Sequence, residues 1–113
     1  MTPLEALCGA RELLSDPKKW TKGGYALSAA GENCDVLSDA AACWCLTGAL
    51  ARTTGNHMES GSPGSLGGYG ILAEAIGKPE RLVVSSWNDE PGRSHTEVLA
   101  LLDKAIELAR SRQ

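Results

Sequence analysis

Apolar residues recur at helical spacing in two clear stretches, one near each end of the chain. Near the N-terminus, Thr2, Pro3 and Glu5 supply an N-cap, a proline at the first helical position and a capping-box glutamate. The helical spacing continues until the sequence Ser15-Asp16-Pro17 interrupts it. The pattern therefore predicts a first helix of about three turns.

The last helix has the clearest period in the sequence. Ser94 and Glu97 form a second capping box, and apolar residues follow at helical spacing over 95–110. Directly before it, Asp89-Glu90-Pro91-Gly92 has the proline and glycine typical of a type II turn. We expect the chain to reverse there and then enter a helix over about 95–110.

Two further helices are predicted in the middle of the chain. Ser38 is a candidate N-cap and Gly55 a candidate C-terminal glycine for an apolar helix over about 39–54. A shorter helix over about 66–76 should end at Gly77. The longer of the two is apolar around much of its circumference, so we expect it at the centre of the fold.

The remaining segments have weaker patterns. A short β-hairpin over 25–36 is compatible with the sequence but has few β-branched residues to support it. The stretch 81–87 fits either a strand or a helical turn. Residues 55–65 are rich in Gly and Ser, which predicts a flexible loop that is mobile on a fast timescale.

Together these elements predict a mainly α fold, a small four-helix single domain over 1–113 with a short hairpin between the first two helices as an option. At 113 residues, two domains would each be too small to sustain a core. At least two of the three tryptophans should be buried, because Phe is absent. The predicted core combines the strongest apolar positions of the second and last helices: Trp44, Leu50, Val98, Leu102 and Ile106.

Charge and hydropathy exclude several classes of function. The net charge is −3 and the basic residues are scattered, so no basic stripe is available for nucleic acid. No apolar run is long enough for a membrane span, and the N-terminus does not look like a signal peptide. We expect a cytoplasmic protein, monomeric or a small oligomer.

The cysteines Cys8, Cys34, Cys43 and Cys45 follow no disulfide or zinc pattern, so a reduced state is expected. If Cys43 and Cys45 lie on a helix, they point about 200° apart and cannot grip one metal ion. We expect no metal, no cofactor and no catalytic residue.

The candidate ligand-binding residues are Asn88, Asp89, Arg93, Ser94 and His95. They join a tight turn to a helix N-terminus, where free backbone N–H groups and a guanidinium would converge on a phosphate or carboxylate.

A structural interpretation of the same residues competes with this one, and we favour it. Ser94 would cap the helix, Arg93 would pair with Glu97 one turn on, and Asp89 would bond the amides of its own turn. Every one of these features is also what a well-formed helix start requires.

An enzymatic alternative uses His95 and Asp89 with a cysteine, as a small hydrolase or transferase. It needs a deep pocket that unites these groups. A cysteine inside a very apolar helix is more often a small core residue.

Two segments carry a resemblance to known proteins: Trp44-Cys45-Leu46-Thr47-Gly48-Ala49-Leu50, and the run WNDEPGRSHTEV over 87–98. The chain resembles an uncharacterised family of small bacterial and phage proteins with a WCxxGAL helix and a WNDxPGRxHxEV turn-helix motif. The resemblance covers most of the chain except its glycine-rich middle. It implies a shared architecture and assigns no reaction, cofactor or catalytic residue.

These observations favour a non-catalytic binding or interaction protein. It would engage a protein partner, or hold a small anionic ligand at the N-terminus of the last helix.

Overall fold

A computed structural model describes residues 2–55, 68–77 and 83–112. Within these ranges the chain is mainly helical, with one small antiparallel sheet. The elements in order are α1 (Pro3–Leu13), a 3-10 turn (Pro17–Lys19), β1 (Ala26–Ser28), β2 (Ala41–Trp44), α2 (Leu46–Thr54), α3 (Tyr69–Ile76), α4 (Val83–Asp89) and α5 (His95–Ser111). The mainly α fold is confirmed, with five helices in the described ranges where four were expected.

Both predicted capping boxes form. Thr2 Oγ1 accepts from Glu5 N at 3.1 Å, and Glu5 Oε1 accepts from Thr2 N at 2.9 Å. The hydrogen bond from the Thr2 backbone lowers the pKa of Glu5, which keeps the carboxylate charged at the positive end of α1. Ser94 and Glu97 repeat this arrangement at α5.

The predicted helix over 39–54 is wrong in its first half. Ser38 caps no helix, since its hydroxyl and carbonyl oxygens accept from Ala40 N and Ala41 N and make a turn. The next residues form β2, and α2 begins only after Cys45, whose extended backbone and sulfur cap it. Pairing of β2 with β1 outweighs the helical pattern there, because tertiary contacts override weak local preferences. At the other end, Gly55 terminates α2 with a φ of 73°, as expected.

The sheet also differs from the expected hairpin. β1 lies inside 25–36, but its main partner is β2, with Ala26 opposite Trp44 and Leu27 opposite Cys43. Only an isolated bridge joins Leu27 to Asn33 within the expected segment. The connection between β1, which ends at Ser28, and β2, which begins at Ala41, is therefore longer than that of the expected hairpin.

The later elements follow the predictions more closely. Gly92 has a φ of 82° and Arg93 N donates to Glu90 O at 3.0 Å, as a type II turn requires. The ambiguous stretch 81–87 is helical where it is described, in α4. The flexible loop expected over 55–65 lies outside the described residues except for Gly55. Within the described ranges, none of the helices combines the length and the apolarity needed to cross a membrane.

A single apolar core joins these elements. It contains the whole predicted core set, and its largest fully buried side chains include Leu7, Leu14, Leu46, Leu50, Leu72 and Leu102. The helix α1 packs against both α2 and α5, and α3 packs against α5. The run from Leu46 to Ala51 in α2 is buried, so most of this helix lies inside the fold, as its apolar circumference predicted. Of the three tryptophans only Trp44 is buried, and Trp20 and Trp87 are half-buried.

The start of α2 lies very close to the chain before β1. A Cβ atom at Gly48 would lie 1.8 Å from the carbonyl oxygen of Tyr25. This oxygen also accepts from Cys45 N at 3.3 Å, so the backbone is held in place. Position 48 therefore requires glycine for its close approach rather than for its φ.

We predict that Gly48→Ala lowers the free energy of unfolding by at least about 2 kcal/mol, because the clash is with backbone. The matched control is Gly70→Ala in α3, where a Cβ meets nothing within 4 Å. It should be neutral or stabilising by up to about 1 kcal/mol. Urea denaturation of both variants measures this, and equal midpoints would contradict the close packing of α2 on Tyr25.

Candidate functional site

The amide side chain of Asn88 is fully buried at the end of α4. Its Oδ1 accepts from Trp20 Nε1 at 2.8 Å and from Leu46 N at 3.2 Å. Its Nδ2 donates to Thr21 O and to Asp89 Oδ1, both at 3.0 Å. All the usual hydrogen-bonding capacity of the carboxamide is therefore used within the protein. Asn88, a candidate ligand-binding residue, ties α4 to the start of α2 and to the segment after the 3-10 turn.

Asp89 is exposed and bonds a distant part of the chain. Its Oδ1 accepts from Gly23 N at 3.1 Å as well as from Asn88 Nδ2. The structural interpretation expected Asp89 to bond the amides of its own turn, and this detail is wrong. The carboxylate holds the glycine pair Gly23 and Gly24 against the end of α4.

The guanidinium of Arg93 makes hydrogen bonds, ion pairs and a ring contact with neighbouring residues. Its side chain is only 12 % exposed, and its guanidinium carbon lies 3.8 Å from the centre of the Trp87 ring. Nε donates to Trp87 O at 2.8 Å, Nη1 to Glu97 at 2.9 Å and Nη2 to Glu90 at 2.5 Å. The expected pair of Arg93 with Glu97 is confirmed, and the positive charge is neutralised by the protein's own carboxylates.

The first turn of α5 is capped by its own residues. Ser94 Oγ accepts from Glu97 N at 3.3 Å, and Glu97 Oε1 accepts from Ser94 N at 3.0 Å. The hydrogen bond from the Ser94 backbone, followed by that from Arg93, lowers the pKa of Glu97. A carboxylate of the protein thus already stands where an anionic ligand was expected.

His95, another candidate ligand-binding residue, faces the end of α1. Its Nε2 lies 2.6 Å from Leu14 O, and its ring centre is 6.2 Å from that of Trp20. A short contact to this carbonyl at the end of α1 joins the start of α5 to the core. His95 is therefore placed as a bridge between two helices.

Asp89 lines a cleft of about 360 Å³. The cleft is lined by the segment Gly23, Gly24 and Tyr25 and by Ser85 and Asp89 of α4. Asn33 and Cys45 complete the lining. Of the five candidate ligand-binding residues, only Asp89 reaches this cleft.

Cys45 lies at the start of α2 and not inside a helix as predicted. Its thiol is almost fully buried, and burial raises its pKa to about 11, with the negative charge of Asp89 adding to the effect. The sulfur accepts from Gly48 N at 3.3 Å. At neutral pH the group is a protonated thiol, which is a poor nucleophile.

Cys43 also departs from the helical argument. Cys43 lies in β2, with its sulfur 3.9 Å from Leu27 O, and all four cysteines are free. In the described ranges, no group of three or more His, Cys, Asp or Glu side chains is arranged to hold a metal ion.

Sequence reasoning missed most of the cleft. Tyr25, Asn33 and Ser85 belong to segments with no recognisable motif, and they meet only in the folded chain. In the sequence, Gly23-Gly24 and Asn33 interrupt the helical pattern, which is a signal for irregular structure and not for a binding site.

Removal of the Asn88 carboxamide should be costly. Asn88→Ala leaves the Trp20 and Leu46 N–H groups and the Thr21 carbonyl without this partner, so we expect a loss of about 2 to 4 kcal/mol. Ser86→Ala, an exposed position on the same helix, is the control and should change stability by less than about 0.5 kcal/mol. Urea denaturation gives both values, and hydrogen exchange of the Trp20 indole N–H should accelerate only in Asn88→Ala. Equal stability of the two variants would contradict the central role of Asn88.

Arg93→Ala tests whether the start of α5 is scaffold or an open anion site. We expect a loss of about 1 to 3 kcal/mol, because a charged hydrogen bond to Trp87 O and a stacked guanidinium are removed. Arg110→Ala, which breaks an exposed pair with Glu107, should cost less than about 0.5 kcal/mol. If Arg93→Ala is as mild as Arg110→Ala and phosphate raises the native melting temperature, the anion site is favoured instead.

The chain matches the sequence profile of a family of unknown function (DUF6197) over residues 1–108. No curated protein matches the chain. No solved structure matches it either. The match covers nearly the whole chain, including both segments on which the sequence resemblance depended, and the chain belongs to this family of unknown function.

Proposed function

We propose that the domain is a non-catalytic binding protein whose cleft beside Asp89 holds a small polar molecule. The observation that carries this proposal is the cleft itself, since its volume of about 360 Å³ falls within the range of small-molecule sites. Its lining combines one aromatic residue, Tyr25, with polar residues such as Asn33 and Ser85. Such a mixture is typical of sites that bind and orient a small ligand.

The start of α5 gives less support to the small anionic ligand expected there. Ser94 and Glu97 bond each other's backbone amides, and Arg93 is paired with Glu90 and Glu97. An anion would have to displace these carboxylates before it gained any hydrogen bond. The cleft requires no such displacement.

A protein partner gains no comparable support from the surface. Among the described residues, Tyr25 is the only large apolar side chain that is exposed, at 37 %. Interfaces usually present a larger apolar patch than one ring. Since Tyr25 also lines the cleft, its exposure fits a small ligand better.

The enzymatic alternative has two of its three groups in the cleft, Cys45 and Asp89. His95, which would have to act as the base, is engaged with Leu14 O and does not line the cleft. The raised pKa of Cys45 keeps its thiol protonated at neutral pH. These features favour binding over a hydrolase or transferase reaction.

The proposed setting is the cytoplasm of a bacterium, or of a cell infected by a phage. Four free thiols fit a reducing compartment.

A filled cleft should abolish binding. We predict that at least one class in a panel of small amines, amino acids, carboxylates, phosphates and sugars raises the melting temperature of the native protein. At a hundredfold excess over the dissociation constant the stabilisation should be about 2.7 kcal/mol. Asn33→Trp places a large ring at the cleft and should remove the shift, because position 33 is exposed and tolerates the ring.

The matched control for Asn33→Trp is Glu32→Trp, at a neighbouring exposed position that does not line the cleft. It should retain the shift. If both variants keep the full shift, or if no class stabilises the native protein, the cleft is not the binding site.

A further inference from the structure

The hydrogen-bond donors around the cleft are largely used by the protein itself. At the start of α2, Leu46 N donates to Asn88 Oδ1, Gly48 N to Cys45 Sγ and Ala49 N to Cys45 O. Elsewhere in the lining, Gly23 N donates to Asp89 Oδ1. The positive end of α2, which would ordinarily attract an anion, is therefore already satisfied by internal acceptors.

The described lining of the cleft carries only negative charge. Asp89 is the only charged residue in its described lining, and none of the lining residues is positive. The nearby ammonium of Lys22 donates to Glu90 O at 3.0 Å and lies 5.7 Å from the centre of the Trp20 ring. Both contacts hold this cation at the turn, and the carboxylate of Asp89 is left as the dominant charge in the cleft.

The carboxylate of Asp89 is only partly used by the protein. The hydrogen bonds from Gly23 N and Asn88 Nδ2 both end on Oδ1. A carboxylate has acceptor capacity on both oxygens. The bonds on Oδ1 fix the orientation of the group, so it is preorganised at the cleft wall without being neutralised.

We infer that the ligand of the cleft carries a protonated amine or a related cationic nitrogen, which Asp89 binds as its counter-ion. This inference rests on the proposed binding function and specifies the ligand class. Tyr25 lines the same cleft, and an aromatic residue at such a site favours a cation. An anionic ligand of the same size meets the Asp89 charge with no positive side chain in the described lining to offset it.

Three probes of similar size test the inference: benzylammonium, benzyl alcohol and benzoate. They differ in charge and share an aromatic ring small enough for the cleft. Binding is measured by titration of the native protein while the backbone amide signals of Gly23, Gly24 and Cys45 are followed by NMR. We expect the order benzylammonium, benzyl alcohol, benzoate from tightest to weakest, with benzylammonium binding weakened by added NaCl and benzyl alcohol binding unchanged.

Asp89→Asn removes the charge and keeps an oxygen that accepts from Gly23 N and Asn88 Nδ2. It should weaken benzylammonium binding by about 10- to 100-fold, as expected for a lost charge-assisted hydrogen bond, and benzyl alcohol binding by less than about threefold. The matched control is Asp39→Asn, which makes the same charge change at an exposed position outside the cleft. It should leave binding of all three probes unchanged.

The outcomes separate the inference from the proposed function. If none of the three probes shifts the cleft amides and no class of the ligand panel stabilises the native protein, the proposed binding function fails. If a class of the panel stabilises the protein but benzylammonium does not bind, only the cation inference fails. If benzoate binds at least as tightly as benzylammonium, or if Asp89→Asn leaves benzylammonium binding unchanged, the cation inference fails while the cleft remains a binding site. Should Asp89→Asn prove unfolded, the salt dependence in the native protein decides, and a salt-independent benzylammonium affinity overturns the inference.

Discussion

The need to satisfy one buried carboxamide organises this fold. Asn88 and Thr47 are the two fully buried polar side chains among the described residues. An amide without partners in such a place would be strongly destabilising, so its neighbours must present two donors and two acceptors at fixed positions. Trp20, Thr21, Leu46 and Asp89 meet that need from three separate parts of the chain. The geometry of the cleft follows, because these residues or their neighbours form its walls.

The turn motif over 87–95 divides its residues between two tasks. Asn88, Arg93 and His95 point their polar atoms at other parts of the protein, where they join helices and close the turn. Asp89, adjacent to the buried Asn88, is exposed and reaches the cleft. Two adjacent residues thus have different roles. Asn88 stabilises the fold, and Asp89 is the residue that we propose binds the ligand. A motif with this division is recognisable in sequence for structural reasons as much as for functional ones.

The sequence predicted features whose causes are local and missed those whose causes are distant. Capping boxes at Thr2 and Ser94, and the turn at Gly92, depend on residues within four positions of each other, and all three were predicted correctly. The segment 39–54 was wrong because a half-buried strand followed by a helix has an apolar pattern close to that of one helix. Pairing with β1 decides between them, and single-sequence periodicity carries no information about that pairing.

The same distinction explains why an anion was expected and a cation is now proposed. Read from the sequence, a helix N-terminus has free N–H groups, and an arginine beside it adds positive charge. In the folded chain Glu97 and Glu90 neutralise that arginine, and Asn88 and Cys45 occupy amides at the start of α2. Each internal acceptor removes a donor that a ligand would have used. What remains at the cleft is acceptor capacity on Asp89, so the sign of the preferred ligand follows from how completely the protein satisfies its own N–H groups.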